Sequence, residues 1–249
     1  MRPQYYYEPP RSNWLENLKK PPLSYILIII GIALAIYLII DQPGWYGALI
    51  FILLVAFPVH ELAHAMTAYW LGDPTPKYDG RLTLNPLAHL DLFGSILILM
   101  AGLGWAKPVR FNPNALRTDP RTGAMLVAAA GPISNLILAM LIALLWRAVL
   151  PPLQFAGSNE LTSIIDLLLS QFALINVALF FFNLIPLAPL DGFTVLRGLL
   201  PRPLAYQLDK IQPYSFIIFL VLFLLGGRIL GTLIFGPAVF VTNLLFGRF

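Results

Sequence analysis

The chain has 249 residues, of which 58% are hydrophobic and 11% charged, with a mean hydropathy of +0.77 and a formal net charge of +4. That composition excludes a soluble globular protein and describes a polytopic membrane protein, with length for about six spans and none for a sizeable soluble domain. The Lys and Arg residues fall in short segments between apolar runs, so they report topology and exclude a nucleic-acid surface, and the absence of Cys leaves any metal to His and carboxylate ligands.

Residues 1–22 hold three consecutive tyrosines, several prolines and Arg2, Arg11, Lys19 and Lys20, without the order of a signal peptide. They read as a cytosolic N-terminal tail ahead of one integral-membrane domain over 23–249. Leu23 to Ile40 is apolar and, at about 18 residues, just long enough to span. The turn Asp41-Gln42-Pro43-Gly44 has no basic residue and is placed outside, so the next helix, from near Trp45 to Leu71, runs inward and stops at Gly72 and Pro74. That helix carries His60-Glu61-Leu62-Ala63-His64. His60 and His64 share a helix face and can ligate one metal ion, with Glu61 beside them to handle a water proton, which is the chemistry of a zinc hydrolase. A charged side chain mid-membrane costs roughly 2.5–3.5 kcal/mol on insertion scales, so three such groups in five residues mark a functional site. Pro58 is expected to kink the helix just before them.

Residues 73–91 are polar, and Gly80-Arg81-Leu82-Thr83-Leu84-Asn85-Pro86 alternates like a short strand. Leu92 to Trp105 is apolar but, at about 14 residues, short for a span. Both its flanks are basic or polar, Lys107 to Arg121 on the far side, so it is expected to be re-entrant. Arg81–Leu84 and Lys107–Phe111 could pair as a small hairpin at the inner membrane surface, with an edge for an unwound substrate strand. Gly123 to Leu150 is a firm span with a Gly-Pro break at Gly131-Pro132. Asn135 in it is placed to bind substrate or a developing oxyanion, or simply to bond across helices. Ser163 to Leu187 returns inward and leads to Asn183-Leu184-Ile185-Pro186-Leu187-Ala188-Pro189-Leu190-Asp191-Gly192. The two prolines put Asp191 on irregular backbone at the end of a span, and a carboxylate suits the third ligand position, so Asp191 is preferred over Asp166 and Asp209. Phe193–Leu200 reads as a short amphipathic helix, and the basic residues Arg197, Arg202 and Lys210, with Asp209, mark a charged cytosolic loop. Tyr214–Leu245, broken at Gly226-Gly227-Arg228 and Gly236-Pro237, fits either one tilted span or a span and a partial helix. The fold class is therefore an all-α polytopic membrane protein, with about five to six transmembrane helices, a re-entrant segment and, at the membrane surface, either a short β-hairpin or two irregular loop pieces.

Taken together, these motifs resemble the site-2 protease family of intramembrane zinc metalloproteases. Leu71-Gly72-Asp73-Pro74-Thr75, Ala88-His89-Leu90-Asp91 and Gly104-Trp105-Ala106-Lys107-Pro108-Val109 resemble its compact prokaryotic branch without a PDZ domain. The likeness covers about residues 56–201, with Ala63 where many relatives carry Gly. It implies one zinc ion held by His60, His64 and Asp191, Glu61 as general base, and cleavage of substrate transmembrane segments near the cytosolic face by a catalytic core of about 46–201. It further implies a multi-pass protein of a prokaryotic plasma membrane, whose partners are the bilayer, transmembrane substrates and a separate regulatory or adaptor protein. His89, Arg81, Leu82, Thr83, Leu84 and Asn183 are the candidate substrate-side or gating positions. A zinc transporter and a non-catalytic membrane chaperone are the competing readings. Transport prefers several sites along a path, and a chaperone has no chemical need for Glu61.

Overall fold

The computed structural model describes residues 40–101, 104–155, 157, 159–225 and 227–248, together with Ile26 and Tyr37. The chain divides into two compact units, 1–43 and 44–249, and every element that builds the site belongs to the second. The expected tail and first span lie outside the described residues.

Helix α1, Gly44–Trp70, is long and apolar enough to cross a membrane. Its turn at Ile52–Ala56 is a π-helix in which the Phe57 N–H donates to the Ile52 carbonyl five residues back. Pro58 explains it. In a regular helix the proline ring would strike the carbonyl four residues earlier, and one extra residue in the preceding turn relieves that clash. The kink expected at Pro58 thus takes the form of a π-bulge directly before the His60–His64 turn.

After α1 the chain makes short helical turns, α2 (Thr75–Tyr78) and α3 (Pro86–His89), and then α4 (Leu92–Ala101). The ends of the α4 excursion are tied together. Leu90 and Ala106 form an antiparallel bridge, and the Lys107 N–H donates to the His89 carbonyl at 2.6 Å. Gly94 packs so closely on Trp105 and Gly104 that a Cβ on either glycine would strike backbone. The segment therefore leaves and returns at one place, as a re-entrant element must. The expected hairpin differs in its partners: no backbone hydrogen bond joins 81–84 to 107–111, and among the described residues the pairing is this single bridge. Arg81 takes the place of a strand, donating from Nη1 to the carbonyls of Ala88 (2.6 Å) and Lys107 (3.2 Å).

Helix α5, Pro120–Phe155, opens with Asp119 accepting from the N–H groups of Arg121 and Thr122 and with proline in its first turn. It runs unbroken through Pro132, so the Gly-Pro break expected there is not a chain break. Helix α6, Glu160–Asn183, starts with a capping box between Asn159 and Thr162 and, like α5, is long and apolar enough to cross a membrane. Irregular backbone over 184–190 leads to α7, Asp191–Leu199. Asp191 is thus the first residue of a helix, not part of the irregular stretch. The last region resolves into two helices, α8 (Arg202–Leu225) and α9 (Gly227–Phe246), with the charged stretch expected as a loop forming the start of α8.

Two apolar clusters hold these elements. Leu49, Ile52, Leu53, Ala56 and Phe57 of α1 pack on Ile98 of α4 and Phe172 of α6. Alanines 139, 143 and 173 allow α5, α6 and α9 to approach closely around Val177 and Ala238. Away from these contacts α5 presents Ile133, Ile137, Leu141 and Leu144 outward, an exposed apolar face of the kind lipid covers.

Candidate metal centre

His60 and His64 lie one turn apart on α1 and face α5, where Val127, Gly131 and Asn135 recur at intervals of four and so share one face. Each imidazole is fixed through Nδ1. His60 Nδ1 donates to Asn135 Oδ1 at 2.5 Å, and His64 Nδ1 donates to the Val127 carbonyl at 2.7 Å. Between these two bonds both rings are pressed on Gly131. A Cβ there would lie 2.5 Å from His64 Cε1 and 2.6 Å from His60 Cε1, so only glycine fits.

With its proton on Nδ1, each neutral imidazole presents a bare lone pair at Nε2. These two nitrogens stand 3.1 Å apart, and Asp191 Oδ2 lies 3.3 Å from the first and 3.4 Å from the second. Three acceptor atoms therefore converge. Asp191 Oδ2 is buried with no hydrogen-bond partner, and the His60, His64 and Asp191 donor atoms all lie within 4.8 Å of one another. Acceptors held this close in an apolar interior repel unless a cation lies among them. Two neutral imidazoles and one carboxylate, open on one side, are a donor set that zinc takes in catalytic sites. The residues fit the ion.

Asp191 reaches the histidines because α7 begins against the end of α6: a Cβ at Gly192 would lie 2.5 Å from the Ile185 carbonyl and would strike the Leu184 carbonyl. The far end of α7 is clamped by Arg121, which donates to the carbonyls of Arg197 and Gly198 at 2.7 and 3.3 Å. The rejected carboxylates are engaged elsewhere. Asp166 accepts from Trp146 and Arg248, and Asp209 holds Arg197 in a two-point pair at 2.6 and 3.0 Å.

Glu61 is buried beside the ligands and accepts from the Val109 N–H at 3.2 Å. It shares with them a cavity of about 880 Å³ walled by α4, α5, α6, α7 and α8, largely by apolar side chains such as Leu97, Phe182, Phe216 and Leu220. Pro108, Val109, Phe111 and Asn183 also line it, Asn183 Nδ2 donating to the Leu179 carbonyl. Arg81, Leu82, Thr83, Leu84 and His89 are not among its lining residues. His89 is fully buried in its loop and donates from Nε2 to the Thr83 carbonyl at 2.7 Å, while Arg81 ties that loop to Lys107. Asn135 has both ends of its amide engaged, Oδ1 by His60 and Nδ2 by Asn176 Oδ1 at 3.1 Å.

Sequence reasoning missed Val127, Gly131 as a ring seat, Val109 and Asn176. The 127-131-135 spacing opposite two histidines was a readable signal for the first two. For Asn176 the signal was an amide in the middle of an apolar run.

Comparison with known proteins decides the family. The chain is 45% identical over 188 residues to the "Putative zinc metalloprotease YwhC" of Bacillus subtilis (strain 168), a match covering 73% of this chain and 83% of that protein. The chain belongs to peptidase family M50, the site-2 protease family. The model of peptidase family M50 matches residues 146–225, a stretch that takes in Asp191 and leaves out His60 to His64. Proteins named "Putative zinc metalloprotease Rip2" are similar at 29% identity in Mycolicibacterium smegmatis (84% of this chain, 72% of that protein) and 27% in Mycobacterium tuberculosis strain H37Rv (85% and 73%). No solved structure matches the chain.

Proposed function

We propose that this M50 chain is a zinc metalloendopeptidase that cuts transmembrane segments of other membrane proteins near the cytosolic face. The observation that carries it is the convergence of His60 Nε2, His64 Nε2 and Asp191 Oδ2 beside Glu61 in one apolar cavity, among helices fit to cross a membrane. Zinc bound by these three ligands supplies a Lewis acid that polarises the scissile carbonyl and acidifies the attacking water. The protein does the rest. Glu61 takes the water proton on its carboxylate and returns it to the leaving amine, and burial beside the Val109 N–H keeps that carboxylate in place. Asn135 and Val127 hold the two imidazoles so that neither can rotate. Asn135 is assigned here to holding His60, while the second N–H of its amide, on a residue that lines the cavity, is the donor an oxyanion role would use.

A peptide bond hidden in a helix cannot be attacked, so the substrate unwinds on entry. The backbone at 108–111, outside any helix, next to Glu61 and without a backbone hydrogen-bond partner, supports pairing with that unwound segment. Arg81, Thr83 and His89 act one step back, holding the loop that presents it. With the basic tail and loops cytosolic, the chain is a multi-pass protein of the plasma membrane whose metal lies in the inner half of the bilayer.

The test is cleavage of a panel of reconstituted single-span peptides, run beside Glu61→Gln and beside protein treated with a zinc chelator. Cutting within the span that both controls abolish supports the reading. Zinc-loaded protein that cuts no peptide but passes zinc across liposomes overturns it in favour of transport.

A further inference from the structure

A backbone carbonyl can only accept a hydrogen bond, so wherever a chain of amides ends on one, the direction of every bond along the chain is fixed. Such a chain runs through the interior of this protein. Asn176 Nδ2 donates to the Phe172 carbonyl at 2.8 Å, which turns Asn176 Oδ1 toward α5. Asn135 Nδ2 donates to that oxygen at 3.1 Å, which turns Asn135 Oδ1 toward α1, where it accepts from His60 Nδ1 at 2.5 Å. Asn176 and Asn135 are both essentially without solvent contact, so no water can substitute for a partner that turns away.

We propose that Asn176 is a positioning residue that sets the tautomer of His60 through Asn135, keeping Nε2 unprotonated for the metal. It sits on α6, a helix that supplies none of the ligands. Turning the Asn135 amide over would set its oxygen against Asn176 Oδ1 and its NH₂ against the His60 N–H. The clash with His60 is relieved only by moving its proton to Nε2, the atom that must bind the ion, and the clash with Asn176 Oδ1, which no change at His60 relieves, is what holds the amide the right way round. His64 is the internal control, because its Nδ1 bonds directly to the Val127 carbonyl and owes nothing to Asn176. The effect therefore falls on one ligand of three.

Two substitutions separate polarity from packing. Asn176→Leu keeps the approximate shape and removes the polar chain. Asn176→Ser loses volume but leaves a hydroxyl able to donate to the Phe172 carbonyl four residues back and to accept from Asn135. Zinc affinity of the full-length protein in detergent is read by competition with a chromophoric chelator, and ligand geometry by the visible absorption of the cobalt(II)-substituted protein. The expected result is about a 10- to 100-fold loss of affinity in Asn176→Leu, with an altered cobalt spectrum, and recovery to within a few-fold in Asn176→Ser. A packing role predicts the reverse order. Native affinity and spectrum in Asn176→Leu, or an equal loss in both variants, overturns the inference. Should Asn176→Leu not fold, Asn176→Ala against Asn176→Ser poses the same question, the two differing by one oxygen. The inference rests on the metal-site reading, and the failures differ: native protein that takes up no zinc defeats that reading, whereas indifferent Asn176 variants defeat only this one.

Discussion

Gly131→Ala tests the site at its tightest point. The new Cβ would stand 2.5 Å from His64 Cε1 and 2.6 Å from His60 Cε1, against ordinary contacts of 3.4 Å or more. The rings must therefore retreat by roughly 1 Å. They cannot do so by rotating, since each is held at Nδ1 by a bond of 2.5 or 2.7 Å. The retreat instead opens the triangle of ligand atoms, now 3.1 to 3.4 Å on its sides. Misplacement on that scale costs about 100-fold in rate, and loss of ligand orientation about 10- to 100-fold in metal affinity. The helix propensity of Ala over Gly, about 1 kcal/mol, offsets part of the roughly 1–3 kcal/mol of overpacking, so the variant is expected to fold. Zinc competition, peptide cleavage and thermal unfolding of the chelator-treated protein measure the three effects separately. Zinc affinity and cleavage both within twofold of native would refute the claim that the two rings are seated on this glycine.

Gly192→Ala should act on the third ligand: its Cβ meets the Leu184 and Ile185 carbonyls, so α7 must shift and carry Asp191 with it, lowering zinc affinity without loss of helix content by circular dichroism. Thr194 lies one turn beyond Asp191 and lines the cavity, so Thr194→Lys puts a positive charge within about 6 Å of the ligand carboxylate. At an effective dielectric near 20 that is worth about 3 kcal/mol, enough to weaken zinc binding about 100-fold, with Thr194→Val near native in the same chelator competition. Asp73 joins the end of α1 to the 112 loop, accepting from the Thr75 hydroxyl, the Thr75 N–H and the Asn112 N–H. Burial alone would raise its pKa, but these bonds outweigh burial and hold it below the usual carboxylate range. Its contribution is therefore present above about pH 4 and lost as pH falls through the lowered value. Asp73→Asn should reduce stability at neutral pH and flatten the acid limb, as read by protease resistance against pH.

The parts legible in the sequence are those that local chemistry dictates. His60, Glu61 and His64 follow from four-residue spacing on an apolar helix. Asp191 follows from the chemistry of a third ligand, once Asp166 and Asp209 are placed elsewhere in the chain. That the ends of 92–105 lie side by side follows from its length and flanks. The features that stay hidden depend on partners far apart in sequence. The Gly-Pro pair at 131–132 reads as a helix break because its local propensity is poor, yet α5 continues because packing on α1 and α6 outweighs propensity. Alternation suggests pairing of 81–84 with 107–111, but Arg81 reaches the Lys107 carbonyl with its side chain and leaves 108–111 without a backbone partner, the Val109 N–H going to Glu61 instead. The start of α8 carries Arg202, Asp209 and Lys210 and so reads as a loop, whereas charge on a helix ahead of its apolar run only says where that run begins.

The electrostatic arrangement of the cavity argues for the charge of its ion independently of ligand type. Its lining holds two carboxylates, Glu61 and Asp191, and neither Lys nor Arg among the described residues. Two anions in a chamber walled by Leu97, Phe182, Phe216 and Leu220 would each carry a desolvation penalty of several kcal/mol without a counter-charge. The imidazoles cannot supply it while Nε2 is a ligand, because both Nδ1 protons are already committed to Asn135 and Val127. One dication bound by His60, His64 and Asp191 brings the lining to neutrality. The same balance would divide the labour between the carboxylates in the proposed mechanism: Asp191, with a buried oxygen aimed at the histidines and no hydrogen-bond partner of its own, would answer the ion, while Glu61, held by the Val109 N–H, would keep its charge available for a proton. Holding one proton of each imidazole on Nδ1 from a backbone or amide oxygen would keep these roles from being exchanged.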